Sequence, residues 1–355
     1  MLARGKGLAG LILAAIVLVA IAAPAVAEAP PGPRLAVVRA TRGHGIELVT
    51  VNAKGTRPSR LAGGGRRARP LLDFFSPISW GPSGADLVFA GIIGFRDGDG
   101  ADPIQKLFSL RADGSGLASI PGTEGGEGPV VSPDGHTLAF TRRIQEPSPT
   151  RIGGKYWEEG FDGSSIWTVD LAGGPRRQLT PWRSGVRYVA SSFSPDGSTL
   201  LATVEDELRS EPQPVIMDLG GQILERVYDD GSSPVFSPDG KRIALIRETE
   251  DFVSGSGEDS DLYVINADGT GLRRLTRTPG RLELSPSWDP SGERLAYVRL
   301  PLVRSEDAPF GYGNSLMEIN ADGSCQTKVR TPSPSLYFSP TWQPGPGREA
   351  GRITC

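Results

Sequence analysis

Six copies of one tight turn recur along this chain, and their spacing limits the possible folds more than any other feature. Each copy follows a short apolar segment. The six are Gly81-Pro82-Ser83-Gly84, Ser132-Pro133-Asp134-Gly135, Ser194-Pro195-Asp196-Gly197, Ser237-Pro238-Asp239-Gly240, Asp289-Pro290-Ser291-Gly292 and a degenerate Gln343-Pro344-Gly345. The prolines recur about every 50 residues, and a period of that size indicates a repeat architecture.

A second glycine turn, mostly led by Asn or Asp, alternates with the first. Its copies are Asn52-Ala53-Lys54-Gly55, Arg111-Ala112-Asp113-Gly114, Asp170-Leu171-Ala172-Gly173, Asp218-Leu219-Gly220-Gly221, Asn266-Ala267-Asp268-Gly269 and Asn320-Ala321-Asp322-Gly323. Proline sets φ for one turn position and glycine accepts a left-handed one, so both turns can join antiparallel strands. The runs between them, such as 242–246 and 261–265, are short and apolar, as buried strands are. Each repeat is therefore predicted to be four antiparallel strands.

Four-stranded units repeated radially make the blades of a β-propeller. The sequence thus predicts an all-β fold, a six-bladed propeller over residues 34–345, with a C-terminal tail over 346–355. The first unit lacks its own inner strand, because 34–39 resembles the strand that follows each Pro/Gly turn. Residues 336–342 resemble the strand before that turn, as in Ser285-Pro286-Ser287-Trp288. We expect 336–342 to complete the first blade and close the ring, which removes an exposed sheet edge.

The first 27 residues have the pattern of a secretory signal peptide. A basic start with Arg4 and Lys6 is followed by an apolar stretch over 8–23 and by Ala25-Val26-Ala27, a small-x-small cleavage site. An uncleaved anchor is the alternative, although the apolar stretch is short for a membrane span. We expect export to the periplasm or the outside, a short linker over 28–33, and no stable membrane insertion after cleavage. With a formal net charge of −3 for the whole chain, nothing favours nucleic acid as a partner.

The chain has two cysteines, Cys325 and Cys355. In an exported protein an even count favours a disulfide. A bond between them would hold the C-terminal tail against the last blade. Two unpaired thiols are the alternative.

The repeat as a whole resembles a known family. Trp/Phe-x-Pro-Asp-Gly, an apolar strand, Tyr263-Val264-Ile265-Asn266-Ala267-Asp268-Gly269 and then Arg274-Leu275-Thr276 are similar to the TolB-type propeller repeat. Residues 232–276 carry the pattern most completely, and weaker copies cover about 34–345. The resemblance implies an exported six-bladed propeller that serves as a protein-binding or scaffold module.

Two functions associated with this repeat are not expected to transfer. TolB itself carries an α/β domain ahead of its propeller, whereas only residues 28–33 separate the predicted cleavage site from the first strand here. The repeat also precedes the catalytic α/β domain of prolyl-oligopeptidase-type peptidases, and no such domain follows residue 345. We therefore expect neither the Tol–Pal role nor a peptidase activity.

Strand alternation places the two regular turn series on one face and the long connections on the other. We call these the turn side and the loop side. The loop-side connections include 63–70, 94–103, 143–163, 181–183, 248–260 and 301–313. Since loops on a rigid scaffold commonly carry function, aromatic and arginine residues there are candidate interface anchors. The candidate partner-binding residues are Tyr156, Trp157, Trp182, Arg183, Arg66 and Arg67; local loop packing is the alternative. Trp80, Trp167, Trp288 and Trp342 lie on strands and are assigned to packing.

The chain offers little for catalysis or for a metal. It has no Gly-x-Ser-x-Gly elbow, and its only histidines are His44, in a loop-side Gly-His-Gly, and His136, in a turn. Asp97, Asp99 and Asp102 resemble part of a calcium loop, but the spacing breaks at Ala101, and a hydrated acidic loop is favoured. No cofactor and no catalytic residue is predicted.

Two functions remain open. The favoured one is an exported, non-catalytic binding propeller whose protein partner docks on the loop side or at the channel mouth. The alternative is a hydrolase or lyase that acts on a small molecule or glycan in the channel. For that reaction Glu283 and Asp73 are the candidate acidic residues at the ends of inner strands.

Overall fold

Short apolar runs between glycine turns form β-strands throughout this protein. The computed structural model describes residues 34–41, 45–52, 58–64, 70–73, 76–93, 104–143, 163–172, 174–208, 211–249, 259–301, 314–331, 335–345 and 351–355. These residues fall in one compact unit, Gly32–Cys355, and contain 25 strands. Among them, no helix has the length and apolar character needed to span a membrane. The predicted signal peptide and linker lie outside the described residues.

Antiparallel pairing divides the strands into six units, numbered here in chain order. Unit 1 consists of β1 (Arg34–Thr41), β2 (Gly45–Asn52), β3 (Ser59–Gly63) and β25 (Ser335–Trp342). Unit 2 consists of β4 (Leu71–Leu72), β5 (Ser79–Trp80), β6 (Asp86–Ile93), β7 (Ile104–Arg111) and β8 (Ala118–Ser119). Its inner strand is split, because β4 and β5 both pair with β6. Pro77, in the gap between them, has no N–H with which to continue the ladder.

The other four units follow the same meander. Unit 3 has β9 (Gly126–Val131), β10 (Thr137–Arg143), β11 (Ser164–Asp170) and β12 (Arg177–Gln178); unit 4 has β13 (Val186–Phe193), β14 (Thr199–Asp206), β15 (Gln213–Asp218) and β16 (Ile223–Arg226). Unit 5 has β17 (Ser232–Phe236), β18 (Arg242–Thr249), β19 (Asp259–Asn266) and β20 (Arg273–Arg274); unit 6 has β21 (Arg281–Trp288), β22 (Arg294–Pro301), β23 (Ser315–Asn320) and β24 (Thr327–Lys328). In units 2, 3, 5 and 6 the outer strand is only two residues long.

Units 3 and 4 are not separate sheets, and neither are units 5 and 6. One parallel bridge, Ser164 to Arg187, joins β11 to β13, and another, Ser260 to Leu282, joins β19 to β21. Each pair of units therefore forms one eight-stranded sheet. The sequence predicts six four-stranded repeats and gives no sign of these bridges, because a single contact between units leaves no repeat signature.

The predicted pairing of the C-terminal strand with the first strand is present. β25 lies antiparallel to β1, with Leu35 opposite Trp342 and Thr41 opposite Ser335. Pairing with β2 on the other side of β1 gives the sheet order β25-β1-β2-β3. Residues far apart in the sequence thus share one sheet.

Six apolar clusters lie between neighbouring units. They join units 1 and 2, 2 and 3, 3 and 4, 4 and 5, and 5 and 6. The sixth combines Ala296 and Leu316 of unit 6 with Leu35, Val49 and Trp342 of unit 1. Every unit therefore has one cluster on each of its two faces.

This packing explains why the central strands are continuously apolar instead of alternating. Successive side chains of a strand point to opposite faces of the sheet. In β18, Ile243 and Leu245 contribute to the cluster with unit 4, whereas Ala244 and Ile246 contribute to the cluster with unit 6. Since both faces are buried, both sets of positions need apolar side chains.

The Ser-Pro-Asp-Gly turns form as their sequence predicts. In the unit 3 copy, Gly135 N donates to Ser132 O at 2.9 Å, and His136 N donates to Asp134 Oδ1 at 2.9 Å. Gly135 has a φ of 77°, in the left-handed region that glycine adopts without a Cβ clash. His136 is thus a turn residue, as the sequence indicates. Each carboxylate caps its own turn, which keeps the turn compact.

Candidate functional site

A cavity of about 470 Å³ lies between the inner strands. All six units line it, mainly with proline, serine and apolar side chains: Ile78 and Trp80, Pro129 and Val131, Ser191 and Phe193, Pro234 and Phe236, Pro286 and Trp288, and Pro340 and Trp342. Thr203 also lines it; this residue is 2% exposed, and its hydroxyl has no hydrogen-bond partner among the described residues. This cavity lies along the inner strands, where a β-propeller has its channel.

Bulges in the inner strands shape the cavity wall. Ser233, Ser285 and Ser339 have φ values of 50°, 52° and 48° and each precedes a proline. A non-glycine residue in this region is uncommon and marks local strain. The strand register shifts at all three positions. The Ser-Pro pairs are visible in the sequence, but the left-handed backbone that they adopt is not.

Hydrogen bonds at the cavity wall link one unit to the next. Ser287 Oγ of unit 6 accepts a hydrogen bond from Trp342 N of unit 1 at 3.2 Å. Trp80 Nε1 of unit 2 donates to Thr341 O of unit 1 at 3.2 Å, and Trp288 Nε1 of unit 6 donates to Val235 O of unit 5 at 3.1 Å. These tryptophans are buried and hold the inner strands together, consistent with their predicted packing role.

Glu283 lies at the loop-side end of the inner strand of unit 6 and is completely buried. Its Oε1 accepts hydrogen bonds from Arg299 Nε at 2.8 Å and from Thr278 Oγ1 at 2.7 Å. Its Oε2 is buried and has no partner among the described residues. Burial raises the pKa of Glu283 to about 7, although Thr278 and Arg299 favour its charged form.

Two further acidic residues lie on β19, and the charge of one of them, Asp261, acts on Glu283. Asp261 is 1% exposed and accepts hydrogen bonds from Thr276 Oγ1 at 2.8 Å and from Arg274 Nε at 2.9 Å. Asp259 accepts hydrogen bonds from Gly280 N at 2.9 Å. Both carboxylates accept hydrogen bonds from protein groups at the junction of units 5 and 6. They therefore help to hold these two units together.

Asp73, the other acidic candidate, lies at the matching end of unit 2. Gln105 Nε2 donates to Asp73 Oδ2 at 2.7 Å. The neighbouring unit contributes Glu127, which pairs with Arg143 at 2.7 Å. Burial raises the pKa of Glu127, and the negative charge of Asp73 adds to that increase. Asp73 and Glu127 are therefore close enough to interact, whereas Glu283 belongs to unit 6.

Trp182 and Arg183 form the described part of the predicted partner-binding set. Trp182 is half-buried, and its indole Nε1 is buried without a hydrogen-bond partner in the described part of the chain. Arg183 is exposed, and its carbonyl accepts a hydrogen bond from Val186 N at 3.2 Å. A Cβ atom at Gly163 would lie 2.0 Å from Arg183 O, so this loop contacts the start of β11 directly.

The remaining predicted site residues lie outside the described residues. They are Tyr156, Trp157, Arg66, Arg67, His44, Asp97, Asp99 and Asp102. Within the described ranges, no group of three or more His, Cys, Asp or Glu side chains is arranged to hold a metal ion.

Trp167 packs against the apolar cluster between units 2 and 3, as its predicted packing role indicates. It is half-buried, with Arg142 Cζ 5.4 Å and Arg176 Cζ 5.3 Å from its ring centroid. Its Nε1 donates to Ser165 Oγ at 2.9 Å. The outer strand beside it, β12, is too short to cover the ring, so arginine stems cover it instead.

Comparison with known proteins identifies the repeat. No family model matches the chain. The Tol-Pal system protein TolB of Anaeromyxobacter sp. is 33% identical over 130 residues, covering 36% of this chain and 27% of that protein. TolB of Polaromonas sp. is 30% identical over 255 residues, covering 63% of this chain and 53% of its own length. The chain thus spans between about a quarter and half of the curated relatives it matches.

Solved structures agree on the fold. A structure from Agrobacterium tumefaciens named as TolB superposes with a TM-score of 0.56 at 16% identity, over 88% of this chain and 98% of that one. The chain thus has repeats similar to those of TolB and a β-propeller fold. Hydrazine synthase of Kuenenia stuttgartiensis also superposes, with a TM-score of 0.60 at 13% identity, over 92% of this chain and 48% of that one. At such low identity this second likeness shows the fold alone.

Proposed function

We propose that this chain is an exported, non-catalytic binding module, built as one closed six-bladed propeller, whose protein partner docks on the loop side. The similarity of its repeats to TolB proteins is the observation that carries the proposal. TolB is named as a component of the Tol-Pal system, and a role in a multi-protein system suits a propeller scaffold. We do not assume that this chain binds the partners of TolB; the pull-down described below identifies its partner.

Closure into a ring is supported by the arrangement of the apolar clusters. An open row of six units would have five interfaces between neighbours, with one face of each end unit uncovered. Here a further cluster joins unit 6 to unit 1. Pairing of β25 with β1 supplies the first unit with an inner strand, as closure requires.

The docking surface is proposed around Trp182 and Arg183. Aromatic and arginine side chains are enriched among residues that dominate binding energy. The half-buried side chain of Trp182 and the adjacent exposed Arg183 offer apolar area and a positive charge. A partner with a carboxylate or carbonyl group beside an apolar side chain matches this chemistry.

The alternative, a hydrolase or lyase in the channel, has less support. Glu283 is completely buried and ion-paired with Arg299, so its carboxylate is not presented to a substrate. Asp73 is bound by Gln105. What favours the alternative is the cavity itself, whose size would admit a small molecule.

A cross-linking pull-down from the native host tests the proposal. Purified wild-type protein is the bait, and the captured protein is identified by mass spectrometry. The variants Trp182→Ala and Arg183→Ala are expected to reduce capture of that protein by about tenfold or more, with unchanged thermal melting. Lys241→Ala, an exposed change in a turn-side loop, is the matched control and retains capture.

The same pull-down can also contradict the proposed docking site. If both loop-side variants and the control capture the partner equally well, the partner binds elsewhere. Export is tested separately, since the mature protein purified from its host is expected to begin at Glu28. A mature protein that retains the first 27 residues would contradict signal cleavage.

A further inference from the structure

The C-terminal residues 351–355 follow the closing strand of unit 1 but bind to unit 6. Asn320 Nδ2, at the end of β23, donates to Ile353 O at 3.0 Å, and Ile353 N donates to Asn320 Oδ1 at 2.7 Å. Arg352 forms an ion pair with Asp322 in the same turn. Asn320 is 1% exposed, so this two-way contact is sheltered from water. The tail therefore docks in a defined position.

A disulfide adds a covalent link at the same place. Cys325 and Cys355 are bonded, with their Cα atoms 5.3 Å apart and 30 positions apart in sequence. β25 lies between the two cysteines in the sequence. Its N-terminal side is connected to unit 6 by the chain, and its C-terminal side is connected to unit 6 by the disulfide. The strand that completes unit 1 is thus tethered at both ends.

Cys325 occupies a position at which units 2 and 5 have glycine. Gly271 lies two residues after the turn glycine Gly269 and has a φ of 68°, and Gly116 lies two residues after Gly114 and has a φ of 71°. Cys325 stands at the matching place with a φ of 54°. A residue with a Cβ is disfavoured there, so the cysteine costs stability where glycine would not. Strain of this kind points to a role for the side chain.

We propose that the Cys325–Cys355 disulfide is a redox-sensitive latch that holds β25 in the sheet of unit 1. In the oxidised protein both ends of β25 are covalently tied to unit 6, so the strand has less freedom to leave the edge of β1. In the reduced protein only hydrogen bonds and the Arg352–Asp322 ion pair hold the tail. β25 then detaches more often and exposes the backbone edge of β1, which can pair with another strand.

The reaction is an ordinary thiol–disulfide exchange. A dithiol reductant attacks one sulfur, the bond between Cys325 and Cys355 breaks, and the reductant closes to a cyclic disulfide. Two electrons and two protons pass to the protein, which then carries two thiols. Cys355 is exposed and Cys325 is half-buried, so a reductant reaches the bond in the folded protein.

Hydrogen exchange of the intact protein tests the latch. Exchange at β25 and at β1 is compared in oxidised protein and in protein reduced with dithiothreitol, with free thiols counted in each sample. Reduction is expected to speed exchange in β25 on the order of 100-fold, from the usual stabilisation by a disulfide. Exchange in β18 and β19 of unit 5 is expected to stay the same. Equal β25 exchange in both forms, with two thiols counted after reduction, overturns the proposal.

Cys325→Gly gives a sharper test because it removes the bond and also introduces the residue that units 2 and 5 have at this place. If the disulfide does not hold β25, the variant gains only relief of backbone strain. Its β25 amides should then be at least as protected from hydrogen exchange as those of the oxidised wild type. With the latch, it should behave like reduced protein under oxidising conditions, and Cys355→Ser should do the same. Asn320→Ala, with the disulfide intact, should retain most of the protection. If it loses as much as Cys325→Gly, the hydrogen bonds and not the disulfide hold the strand.

Discussion

At the scale of single residues, the repeat depends on glycines in left-handed backbone. The turn-side glycines pack against the proline of the preceding turn: a Cβ atom at Gly240 would lie 3.2 Å from Pro195 Cδ, and one at Gly135 would lie 3.3 Å from Pro82 Cγ. Neighbouring turns therefore touch. Glycine is needed there for its φ and for the space it leaves.

Two glycine substitutions separate these effects. Gly240 and Gly280 have φ values of 69° and 72°, but a Cβ at Gly280 would meet nothing within 4 Å. We expect Gly280→Ala to lower the free energy of unfolding by about 1 kcal/mol, through backbone strain alone. Gly240→Ala should lower it further, because Pro195 must also move. Equal losses in chemical denaturation would show that contact between the turns contributes nothing.

Glu283 predicts a pH dependence of stability. Its pKa is raised from the ordinary 4.5 to about 7 in the folded protein, so the folded state binds more protons than the unfolded state between these values. Its contribution to stability is therefore fully present below pH 4.5 and is lost as the pH rises through 7. The free energy of unfolding of the wild type should therefore fall between pH 5 and 8. The side chain of Glu283→Gln stays neutral, so this variant should show a fall that is smaller by on the order of 2 kcal/mol.

The control for this experiment is Glu225→Gln, a change at an exposed residue of β16. It should leave the pH profile of the wild type unchanged. Glu318, whose pKa burial also raises to about 7, supplies a second contribution in the same range, so some pH dependence should remain in the Glu283 variant. A variant profile that matches the wild type would contradict the role of Glu283.

At the scale of strands, the inner strands are irregular where they line the cavity. The bulge of β21 combines the left-handed Ser285 with the interaction between Ser287 and unit 1. Sequence patterns predict this strand because Ser-Pro-x-Trp/Phe recurs, but they predict a straight one. Proline removes one N–H from the ladder, and the bulge is how the strand continues past it.

Glycine substitutions at Ser285 and Ser287 of this strand should affect the free energy of unfolding differently. Ser285→Gly relieves a left-handed φ of 52°, so its free energy of unfolding should stay within about 0.5 kcal/mol of the wild type or exceed it. Ser287→Gly removes the acceptor of Trp342 N and should lower it by about 1 kcal/mol or more. A loss at Ser285 as large as that at Ser287 would mean that the hydroxyl of Ser285 matters more than its backbone.

At the scale of the whole molecule, every unit shares its apolar faces with two neighbours. Unit 1 is unusual because one of its neighbours, unit 6, is encoded at the other end of the described chain. If the ring is closed, this junction should be as stabilising as the junctions between consecutive units. If the ring is open, side chains at this junction should contribute much less to the free energy of unfolding.

Leu35 and Leu245 provide a matched pair for this question. Both are completely buried; Leu35 lies in the cluster between units 6 and 1, and Leu245 lies in the cluster between units 4 and 5. In a closed ring, each change to alanine should lower the free energy of unfolding by about 2–5 kcal/mol in a single transition. A small loss for Leu35→Ala, beside a large loss for Leu245→Ala, would contradict closure.

The order of turns and strands was predictable from the sequence alone. Proline, aspartate and glycine act on their own backbone within a few residues, so their effect can be read locally, and so can the apolar runs of strands that are buried on both faces. The pairing of 336–342 with the first strand was also predictable, because the missing inner strand of unit 1 has a matching segment elsewhere in the chain.

Only the tertiary structure decided which side chains are available for function. Glu283 looks like a candidate acid at a strand end, but the folded chain surrounds it with Arg299 and Thr278. Trp167 packs against an apolar cluster as predicted, yet the short strand beside it leaves its ring to be covered by arginines. The bulges, the bridges between units and the link from the tail to Asn320 also depend on residues distant in sequence. Their energies come from burial and contact between units, which local patterns do not specify.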